Sequence, residues 1–383
     1  MVHPHDLWYD PWTIRILQLA KCLMKKGCTV HLCHLPRKEP PDHPPLRQKM
    51  ADDPLIYDLL PRQFHIVQNA RLLSALAKEC DVIHLQKCFA ATSLPILWIC
   101  RTFRKPLHYD WDDDETAISR IVERRWLSRL QLTVYEYELP NFASTITYSS
   151  RAIRDRAAAL GFPESRMWHL PVGADLERFR PGIGGAKELI ELGLDPNKLT
   201  ILYIGQMEGA AYAHQLMEAA PMVLSACPNC QFLLVGGGEQ LKNLRRRAEL
   251  SPVRETLHIP GYIESDHIPR IIGASDICVA CFDDSHAVRA KSPLKIAEYL
   301  AAGKPIVASR VGEAPWMLDG CGITVDAGIP QALAKGILAY ATNEEKRDQD
   351  GRAARERAKK YFTWERGTEQ LMEAYRSCRV ESG

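Results

Sequence analysis

The sequence predicts an α/β fold made of two Rossmann-like domains, each a doubly wound parallel sheet. Three observations support this. Short β-branched runs alternate with amphipathic helical segments, a Gly- and Pro-rich stretch at 176–197 interrupts the alternation once, and the rhythm then restarts. The 383 residues also suffice for two or three domains of about 150 residues. Ligands of such sheets bind beyond the carboxyl ends of the strands, so we expect the two domains to face each other across a cleft.

The first half of the chain follows this rhythm from its start. A first strand is predicted within 1–4, and Gly27 ends the helix that follows it. Further predicted strands cover 29–35, 81–85, 106–110 and 144–148. Predicted helices cover 12–26, 73–78, 90–103 and 151–160, and a Pro-rich loop covers 36–54.

The second half repeats the pattern and ends in two helices, 344–361 and 364–375. Its predicted strands are 200–204, 231–235, 256–259, 276–280 and 305–308. Its other predicted helices are 210–226, 240–250 and 294–302. We therefore expect a first domain over 1–182, completed by 362–383, and a second domain over 183–361.

The charge balance is nearly neutral. Lys and Arg number 49 and Asp and Glu number 47, so the net charge is +2. Residues 1–182 hold 25 basic and 21 acidic residues (+4), which leaves 24 and 26 (−2) for the rest. The chain lacks the strong positive excess of nucleic-acid-coating proteins, so no nucleic acid partner is expected. With 46% hydrophobic residues it is not disordered.

No segment predicts a membrane span or a secretory signal. The longest apolar tract, around 94–100, is far shorter than the roughly 20 residues that cross a bilayer. Residues 1–10 lack a basic region followed by an apolar one. Twelve cysteines are too few for a disulfide scaffold, so we expect a cytoplasmic protein with reduced cysteines.

Two C-x-x-C pairs, Cys227 with Cys230 and Cys278 with Cys281, raise the question of a zinc site. The second pair lies along a predicted strand, where residues three apart face opposite sides. Packing is therefore the favoured interpretation over zinc, and no metal site is expected.

The segment 291–309 carries the strongest chemical signal. Ser292 is a natural N-cap and Pro293 a natural first helical residue, so the helix start presents amides and a positive dipole end to an anion. Lys291 and Lys295 add positive charge, and Glu298 lies within the same helix, where it could accept hydrogen bonds from hydroxyl groups. The residues alone fit equally a well-capped helix with ordinary surface charges.

An acidic cluster follows a predicted strand at 110–115, with five carboxylates in six residues. Asp110, Asp112 and Asp113 there could bind ligand hydroxyls, or the loop could only cap the next helix; mutual repulsion favours the first interpretation. His84 either lines the cleft or is a core histidine, and the second is favoured.

A long predicted helix ends near 139 and contains four arginines among apolar residues: Arg120, Arg124, Arg125 and Arg129. Such a basic amphipathic helix can lie on an anionic membrane surface. More often it is a helix with a solvated face.

The segment 292–305 closely resembles the nucleotide-binding motif of family-4 retaining glycosyltransferases (glycosyl transferases group 1), which have the GT-B fold. Other segments resemble the family in the same order and spacing over nearly the whole chain: 170–181, 202–205, 232–238, 259–263, 274–278, 309–313 and 362–365.

The resemblance implies roles by position. Glu298 would bind the ribose hydroxyls, and Lys291 and Lys295 would neutralise the diphosphate and assist catalysis. Asp112 stands near the place of a family histidine that contacts the donor sugar, so it is a catalytic candidate. The other implied donor-binding residues are Ser292, Pro293, Leu294, Gly205, Gln206, Gly237, Gly312 and Glu313. Asp110, Asp113 and His84 are the implied acceptor-side residues.

The chain departs from the family at three places. Ala290 replaces a Glu that usually touches the donor sugar, with Asp283 and Asp284 nearby. Gln206 stands where an Arg is usual, which leaves Arg289, Lys291 and Lys295 as the available cations. The usual paired glycines after the first strand are absent from 5–12.

The resemblance implies a retaining, metal-independent transferase that moves a sugar from a nucleoside-diphosphate sugar to an acceptor hydroxyl, in glycan, polysaccharide or glycolipid synthesis. No cofactor beyond the nucleotide sugar is expected. The expected acceptor is a glycan or a lipid-linked molecule, with peripheral contact at the inner face of a membrane. The alternatives are a sugar-nucleotide epimerase or hydrolase of the same fold, or a catalytically weak nucleotide-sugar-binding protein.

Overall fold

The computed structural model describes residues 1–37, 45–47, 49–59, 66–122, 125–207 and 212–380. The chain divides into two compact units. The first comprises Met1–Pro171 and Trp364–Gly383, and the second comprises Val172–Thr363. Each unit is built around one parallel sheet with helices on its faces.

The structure divides the units between Pro171 and Val172. The sequence predicted this division later in the chain, after residue 182. The Arg355 guanidinium donates hydrogen bonds to the carbonyl oxygens of Phe179 (2.8 Å) and Leu176 (3.2 Å). The amide of Val172 donates to Oγ of Ser292 at 3.1 Å. These bonds attach residues 172–182 to the second unit.

The first unit holds a seven-stranded parallel sheet in the order β3-β2-β1-β4-β5-β6-β7. Its strands are β1 (Val2–His3), β2 (His31–His34), β3 (Leu55–Asp58), β4 (Ile83–Gln86), β5 (Leu107–Trp111), β6 (Thr145–Tyr148) and β7 (Met167–His169). The first strand is as short as the sequence predicted. It is nevertheless an interior strand of the sheet, because it pairs with both β2 and β4.

Among the described residues of the first unit, six helices connect these strands: α1 (Ile14–Lys25), α2 (Ile66–Glu79), α3 (Ala90–Phe103), α4 (Glu115–Ile121), α5 (Trp126–Phe142) and α6 (Arg151–Ala159). The prediction of one long helix through the arginine-rich segment is wrong. The helix is interrupted between Ile121 and Trp126, and α4 has its own N-cap, Asp114, whose carboxylate accepts from the Ala117 amide at 2.7 Å. Arg124 and part of the predicted loop 36–54 lie outside the described residues.

The second unit holds a six-stranded parallel sheet in the order β10-β9-β8-β11-β12-β13. Its strands are β8 (Leu199–Ile204), β9 (Cys230–Val235), β10 (Leu257–Gly261), β11 (Ile277–Ala280), β12 (Ile306–Ser309) and β13 (Ile323–Val325). Every residue of β9, β11 and β12 is buried, as apolar strands covered on both faces require.

Nine helices are described in the second unit: α7 (Ala186–Glu191), α8 (Ala213–Ala226), α9 (Leu241–Glu249), α10 (Ile268–Ala274), α11 (His286–Arg289), α12 (Leu294–Ala301), α13 (Ala314–Met317), α14 (Pro330–Ala341) and α15 (Glu344–Tyr361). The predicted linker 176–197 therefore contains a helix, α7. The last helix, α16 (Trp364–Val380), belongs to the first unit, where it packs against α1 and β6.

The predicted fold class is confirmed as two doubly wound parallel sheets. The strand order reverses between β1 and β4 in the first sheet and between β8 and β11 in the second. Crevices at the carboxyl ends of strands form at such reversals. The loops that follow β4 and β5, and those that follow β8, β9, β11 and β12, are therefore the places to look for functional side chains.

All twelve cysteines are free, and both members of the Cys278–Cys281 pair are fully buried. Among the described residues, no group of three or more His, Cys, Asp or Glu side chains is arranged to hold a metal ion. Within the same part of the chain, no helix is long and apolar enough to cross a bilayer.

Candidate functional site

Glycines line the carboxyl edge of the second sheet, where backbone approaches backbone. Gly236 follows β9 with φ +153°, and a Cβ there would lie 1.8 Å from the carbonyl oxygen of Gly205, which follows β8. A Cβ on Gly237 would lie 3.2 Å from Cβ of Tyr262. Residue 236 therefore cannot carry a side chain, and a side chain on residue 237 would require Tyr262 to shift.

A second glycine contact forms after β12. Gly312 has φ +56°, and a Cβ on it would lie 2.8 Å from the carbonyl oxygen of Val288 in α11. Glu313, the next residue, is 2% exposed and precedes the first turn of α13. The structure thus places Gly205, Gly237, Gly312 and Glu313 on loops at one edge of one sheet.

Lys295 extends from the first turn of α12 to this edge. Its Nζ lies 4.2 Å from the centre of the Tyr203 ring and 2.5 Å from where a Cβ on Gly205 would be. Burial, together with the charge of Lys291, lowers the pKa of Lys295 to about 8, although Cys281 and Glu298 act in the opposite direction. With the described residues Lys295 forms no ion pair, so its charge has no carboxylate partner there.

Glu298 lies one turn after Lys295 on α12 and is partly buried. Burial raises the pKa of Glu298 to about 7, against the opposing charges of Arg178 and Lys295. Its carboxylate makes no hydrogen bond with a described residue. Both oxygens are therefore available to accept hydrogen bonds from a ligand.

The start of α12 differs from the prediction. The helix begins at Leu294, and Pro293 is its N-cap, with extended backbone (φ −71°, ψ 111°) and no side-chain cap. Ser292 is therefore not the N-cap, because its Oγ instead accepts from the Val172 amide. Without a side-chain cap, the first amides of α12 are left to bind a ligand or solvent.

Ala290 and Gln206 are two of the positions at which the chain departs from the family. Ala290 is buried and caps the C-terminal end of α11. Oδ1 of Asp283 accepts from Gln215 at 2.6 Å, and Asp284 pairs with Arg289 at 2.6 and 2.7 Å. Both neighbouring carboxylates are thus already engaged, while Gln206 is exposed.

Two of the predicted acceptor-side residues are buried inside the first unit. Asp110 accepts two hydrogen bonds from Arg15, each 2.8 Å long, and one from Thr147 Oγ1. Burial would raise the pKa of Asp110, but the Arg15 guanidinium holds it below its usual range. His84 is 1% exposed, with Nδ1 2.7 Å from the Tyr375 hydroxyl. The predicted acceptor contacts of Asp110 and His84 would need exposure that neither side chain has, so we correct them to structural roles.

The acidic cluster has a buried counter-ion that sequence reasoning missed. Nζ of Lys87 lies 2.6 Å from Glu115, 3.0 Å from Asp113 and 3.4 Å from Asp112. The Lys87 side chain is 3% exposed, and its pKa is raised well above the ordinary value because these carboxylates outweigh its burial. The predicted repulsion is therefore largely neutralised. The one sequence signal for this role of Lys87 is its position directly after β4, the strand that pairs with β5.

Asp112 and Asp113 are the partly accessible members of the cluster, with side chains 11% and 22% exposed. Gln86 Nε2 donates to Asp112 Oδ2 at 3.0 Å. Burial raises the pKa of Asp112 to about 7, with help from Asp113 and Asp110 and against Lys87. Asp112 keeps its place as a site candidate because its side chain is partly accessible.

Glu136 of α5 is a second residue that the sequence did not reveal. It is fully buried and accepts hydrogen bonds from the amides of Glu115 (2.9 Å) and Thr116 (2.8 Å) and from Trp111 Nε1 (3.2 Å). Burial raises its pKa to about 7. Glu136 thereby fixes the end of β5 and the start of α4, between which the acidic cluster lies.

Comparison with known families gives a consistent result. Residues 198–343 match the family model described as glycosyl transferases group 1, and residues 13–178 match glycosyltransferase family 4. The chain belongs to the group 1 glycosyltransferases. The resemblance found in the sequence is confirmed.

Curated relatives of this family member are moderately similar. Spore coat protein SA of Bacillus subtilis is 26% identical over 237 residues, which are 57% of this chain and 61% of that protein. A GDP-mannose-dependent phosphatidylinositol monomannoside mannosyltransferase of Mycobacterium tuberculosis is 23% identical over 57% of this chain and 58% of its own length. D-inositol 3-phosphate glycosyltransferase of Rhodococcus erythropolis is 27% identical over 59% of this chain and 52% of its own length. The matches thus span between about half and six-tenths of these relatives.

Solved structures share the fold of this family member over nearly its whole length. Sucrose-phosphate synthase from Thermosynechococcus elongatus aligns with a TM-score of 0.71 at 19% identity, covering 99% of this chain and 96% of its own. HepE of Anabaena in complex with UDP-glucose aligns with a TM-score of 0.72 at 18% identity, covering 98% and 99%. These likenesses show the same fold.

Proposed function

We propose that this chain is a retaining glycosyltransferase that moves a sugar from a nucleoside-diphosphate sugar to an acceptor hydroxyl. The observation that carries the proposal is the partly buried ammonium of Lys295, which has no carboxylate partner among the described residues and lies at the glycine-lined edge of the second sheet. An uncompensated charge in such a place is unfavourable until an anion binds beside it. The diphosphate of the donor is that anion.

The donor would bind to the second unit. Its diphosphate would accept hydrogen bonds from the uncapped amides at the start of α12 and pair with Lys295 and Lys291. Its ribose hydroxyls would donate to Glu298. Related proteins support this donor class, since one relative is named as GDP-mannose-dependent and HepE was solved with UDP-glucose.

In the reaction, the bond between the anomeric carbon and the β-phosphate oxygen breaks. The acceptor oxygen bonds to the same carbon on the same face, and its proton leaves with the departing diphosphate. The charge that develops on the diphosphate is what Lys295 and the α12 amides would stabilise, and this requires no metal ion. Asp112 and Asp113, in the first unit, would bind hydroxyl groups of a sugar.

The proposed acceptor is a hydroxyl of a glycan or a lipid-linked molecule. Relatives are named for D-inositol 3-phosphate and for phosphatidylinositol monomannoside as substrates, and the second of these is a lipid. The twelve free cysteines fit a reaction in the cytoplasm.

A second candidate function, a nucleotide-sugar-binding protein with weak activity, is favoured by the surroundings of Ala290. Ala290 stands where the family usually has a Glu, and the two nearby carboxylates are engaged elsewhere: Asp283 accepts from Gln215, and Asp284 pairs with Arg289. An epimerase or hydrolase would also bind the donor. It would consume the donor at a rate that no acceptor changes.

The experiment begins with thermal stabilisation by UDP, GDP, ADP, UDP-glucose and GDP-mannose. Release of nucleoside diphosphate is then measured with the stabilising donor, with and without glycan and lipid-linked acceptors, and the product anomer is assigned by NMR. A transferase releases nucleoside diphosphate faster when acceptor is present, whereas a binding protein does not consume the donor. Glu298→Gln should weaken nucleotide binding, and Glu249→Gln, an exposed glutamate of α9, should not. An unchanged affinity of Glu298→Gln would show that the donor site is misplaced.

A further inference from the structure

We propose that Trp12 in the first unit stacks on a sugar ring and thereby selects a carbohydrate as the acceptor. The inference rests on the proposed function for the role of acceptor, and it adds the chemical class of that substrate. Trp12 lies in a short 3₁₀ helix, Pro11–Thr13, between β1 and α1, and it is 38% exposed. An indole exposed at that place is the observation from which the inference starts.

Trp12 belongs to a row of three aromatic rings, which we call the aromatic row. Its indole meets the imidazole of His5 nearly edge to face, with ring centres 5.6 Å apart, and His5 meets Phe89 in the same way at 4.9 Å. Edge-to-face contacts are favourable, so they hold the indole in place. His5 follows β1 and Phe89 follows β4, so the aromatic row joins two loops at the point where the strand order of the first sheet reverses.

The position of Trp12 distinguishes it from other exposed tryptophans of the first unit. Trp98 and Trp126 are 54% and 65% exposed, but they lie within α3 and α5. Trp12 instead lies between the carboxyl end of β1 and the start of α1, in the part of a doubly wound sheet that binds ligands. It also belongs to the segment 5–12, which departs from the family by lacking paired glycines. The aromatic row is therefore a feature of this chain, and we expect it to set the choice of substrate.

Polar groups lie beside the aromatic row. His3, the last residue of β1, contacts His5 with ring centres 5.4 Å apart, and Gln86 is the last residue of the neighbouring β4. Both side chains are fully buried, and neither Nε2 of His3 nor Oε1 of Gln86 has a hydrogen-bond partner among the described residues. Buried polar atoms are costly without partners, so they favour a ligand or water that completes their hydrogen bonds. Gln86 also donates to Asp112 at 3.0 Å, which places a partly exposed carboxylate at the same edge.

A sugar ring combines the two kinds of contact that this edge of the sheet offers. The C–H groups on one side of a pyranose form an apolar face that stacks on an indole, and its hydroxyls donate to carboxylates such as Asp112 and Asp113. A hydrocarbon chain would cover Trp12 but would offer the carboxylates no hydroxyl. The donor is assigned to the second unit through Lys295 and Glu298, so a sugar that binds the first unit without nucleotide is the acceptor.

The test is saturation-transfer NMR of the whole protein without nucleotide. The probes are the methyl glycosides of glucose, galactose, mannose and N-acetylglucosamine, together with octyl glucoside below its micelle concentration. We expect the ring protons of at least one sugar to receive saturation from the wild-type chain. Trp12→Leu, which keeps apolar bulk but removes the flat face, should weaken binding about tenfold, and Trp12→Phe should restore part of the loss. Trp98→Leu, at an exposed tryptophan of α3, is the matched control and should bind like the wild type.

Three results would overturn the proposal: no ring-proton signal from any probe with the wild type, wild-type affinity of Trp12→Leu, or equal loss in Trp98→Leu. Saturation of the octyl protons alone would identify a hydrocarbon chain as the occupant and would also overturn it. Thermal midpoints verify folding, and Trp12→Met replaces Trp12→Leu if that variant does not fold. Sugar binding without acceptor-stimulated release of nucleoside diphosphate would refute the transferase and keep the sugar site. Transfer to an acceptor that contains no sugar would do the reverse.

Discussion

Nζ of Lys295 lies 4.2 Å from the centre of the Tyr203 ring, beside the backbone of Gly205. An aromatic face attracts a cation by about 0.5–2 kcal/mol, which offsets part of the loss of hydration. The ring therefore holds the ammonium at the carboxyl edge of the sheet without neutralising it. A carboxylate in the same place would form an ion pair with the ammonium and so compete with a diphosphate for it.

Replacement of Lys295 tests this arrangement. Lys295→Met should weaken the affinity for the best nucleoside diphosphate by about 10–100-fold, because a hydrogen bond to a charged group contributes about 1.5–3 kcal/mol. Titration calorimetry measures the affinity. Lys242→Met, an exposed lysine of α9, is the control and should bind normally. Equal affinities of Lys295→Met and the wild type would place the diphosphate elsewhere.

Nucleotide affinity should depend on pH with a maximum between about 7 and 8. Binding needs Glu298 ionised to accept ribose hydroxyls and Lys295 protonated to pair with the diphosphate. With the pKa of Glu298 raised to about 7, affinity falls as pH drops below that value. With the pKa of Lys295 lowered to about 8, affinity falls as pH rises above it. Calorimetry across pH 5.5–9.5 at constant ionic strength, a window of about two units on each side, measures the profile.

The two limbs of this profile can be separated. Glu298→Gln should remove the acidic limb, since an amide carries no titrating proton, and should leave the basic limb in place. A profile that keeps its acidic limb in Glu298→Gln would assign that limb to another group.

Lys87 should be important for stability. Its buried ammonium bridges Asp112, Asp113 and Glu115, so Lys87→Met leaves three neighbouring carboxylates without their shared counter-ion. We expect the free energy of unfolding at pH 7 to fall by about 3 kcal/mol, as it does when one partner of a buried ion pair is removed. Urea denaturation measures this. Adding Glu115→Gln should restore part of the loss, and Lys359→Met, with its exposed ion pair, should cost about 0–1 kcal/mol. A stable Lys87→Met would contradict the bridging role.

The contact between Gly236 and Gly205 should tolerate no side chain. A Cβ on residue 236 would lie 1.8 Å from the Gly205 carbonyl oxygen, so Gly236→Ala must push β8 and β9 apart at their carboxyl ends. We expect a loss of about 3 kcal/mol or more in unfolding free energy, together with weaker nucleotide binding. Gly193→Ala is the control. It has positive φ (+76°) and no neighbour within 4 Å, and should cost about 1 kcal/mol. Similar losses in the two variants would mean that strain in φ alone is being measured.

Elements with strong periodicity were predicted closely. The bounds predicted for α3 and α15 agree with the structure, and the buried strands differ by a residue or two. The strands β3, β7 and β13 were missed because they are only three or four residues long and partly exposed, so their sequence pattern is too short to stand out. The start of α12 was misplaced because Ser292 bonds to Val172, a residue 120 positions away that local reasoning could not consider.

The sequence by itself determined the fold class, the family and the positions of the glycines, Lys291, Lys295 and Glu298. Local patterns encode these features, because strand and helix periods and a motif on one helix depend on neighbouring residues. Only the tertiary structure decided which charges meet. It pairs Asp110 with Arg15 and gives the acidic cluster its counter-ion in Lys87, but leaves Lys295 unpaired among the described residues. Parallel strands bring distant segments side by side, so the partners of a charge are set by sheet order and not by the residues next to it.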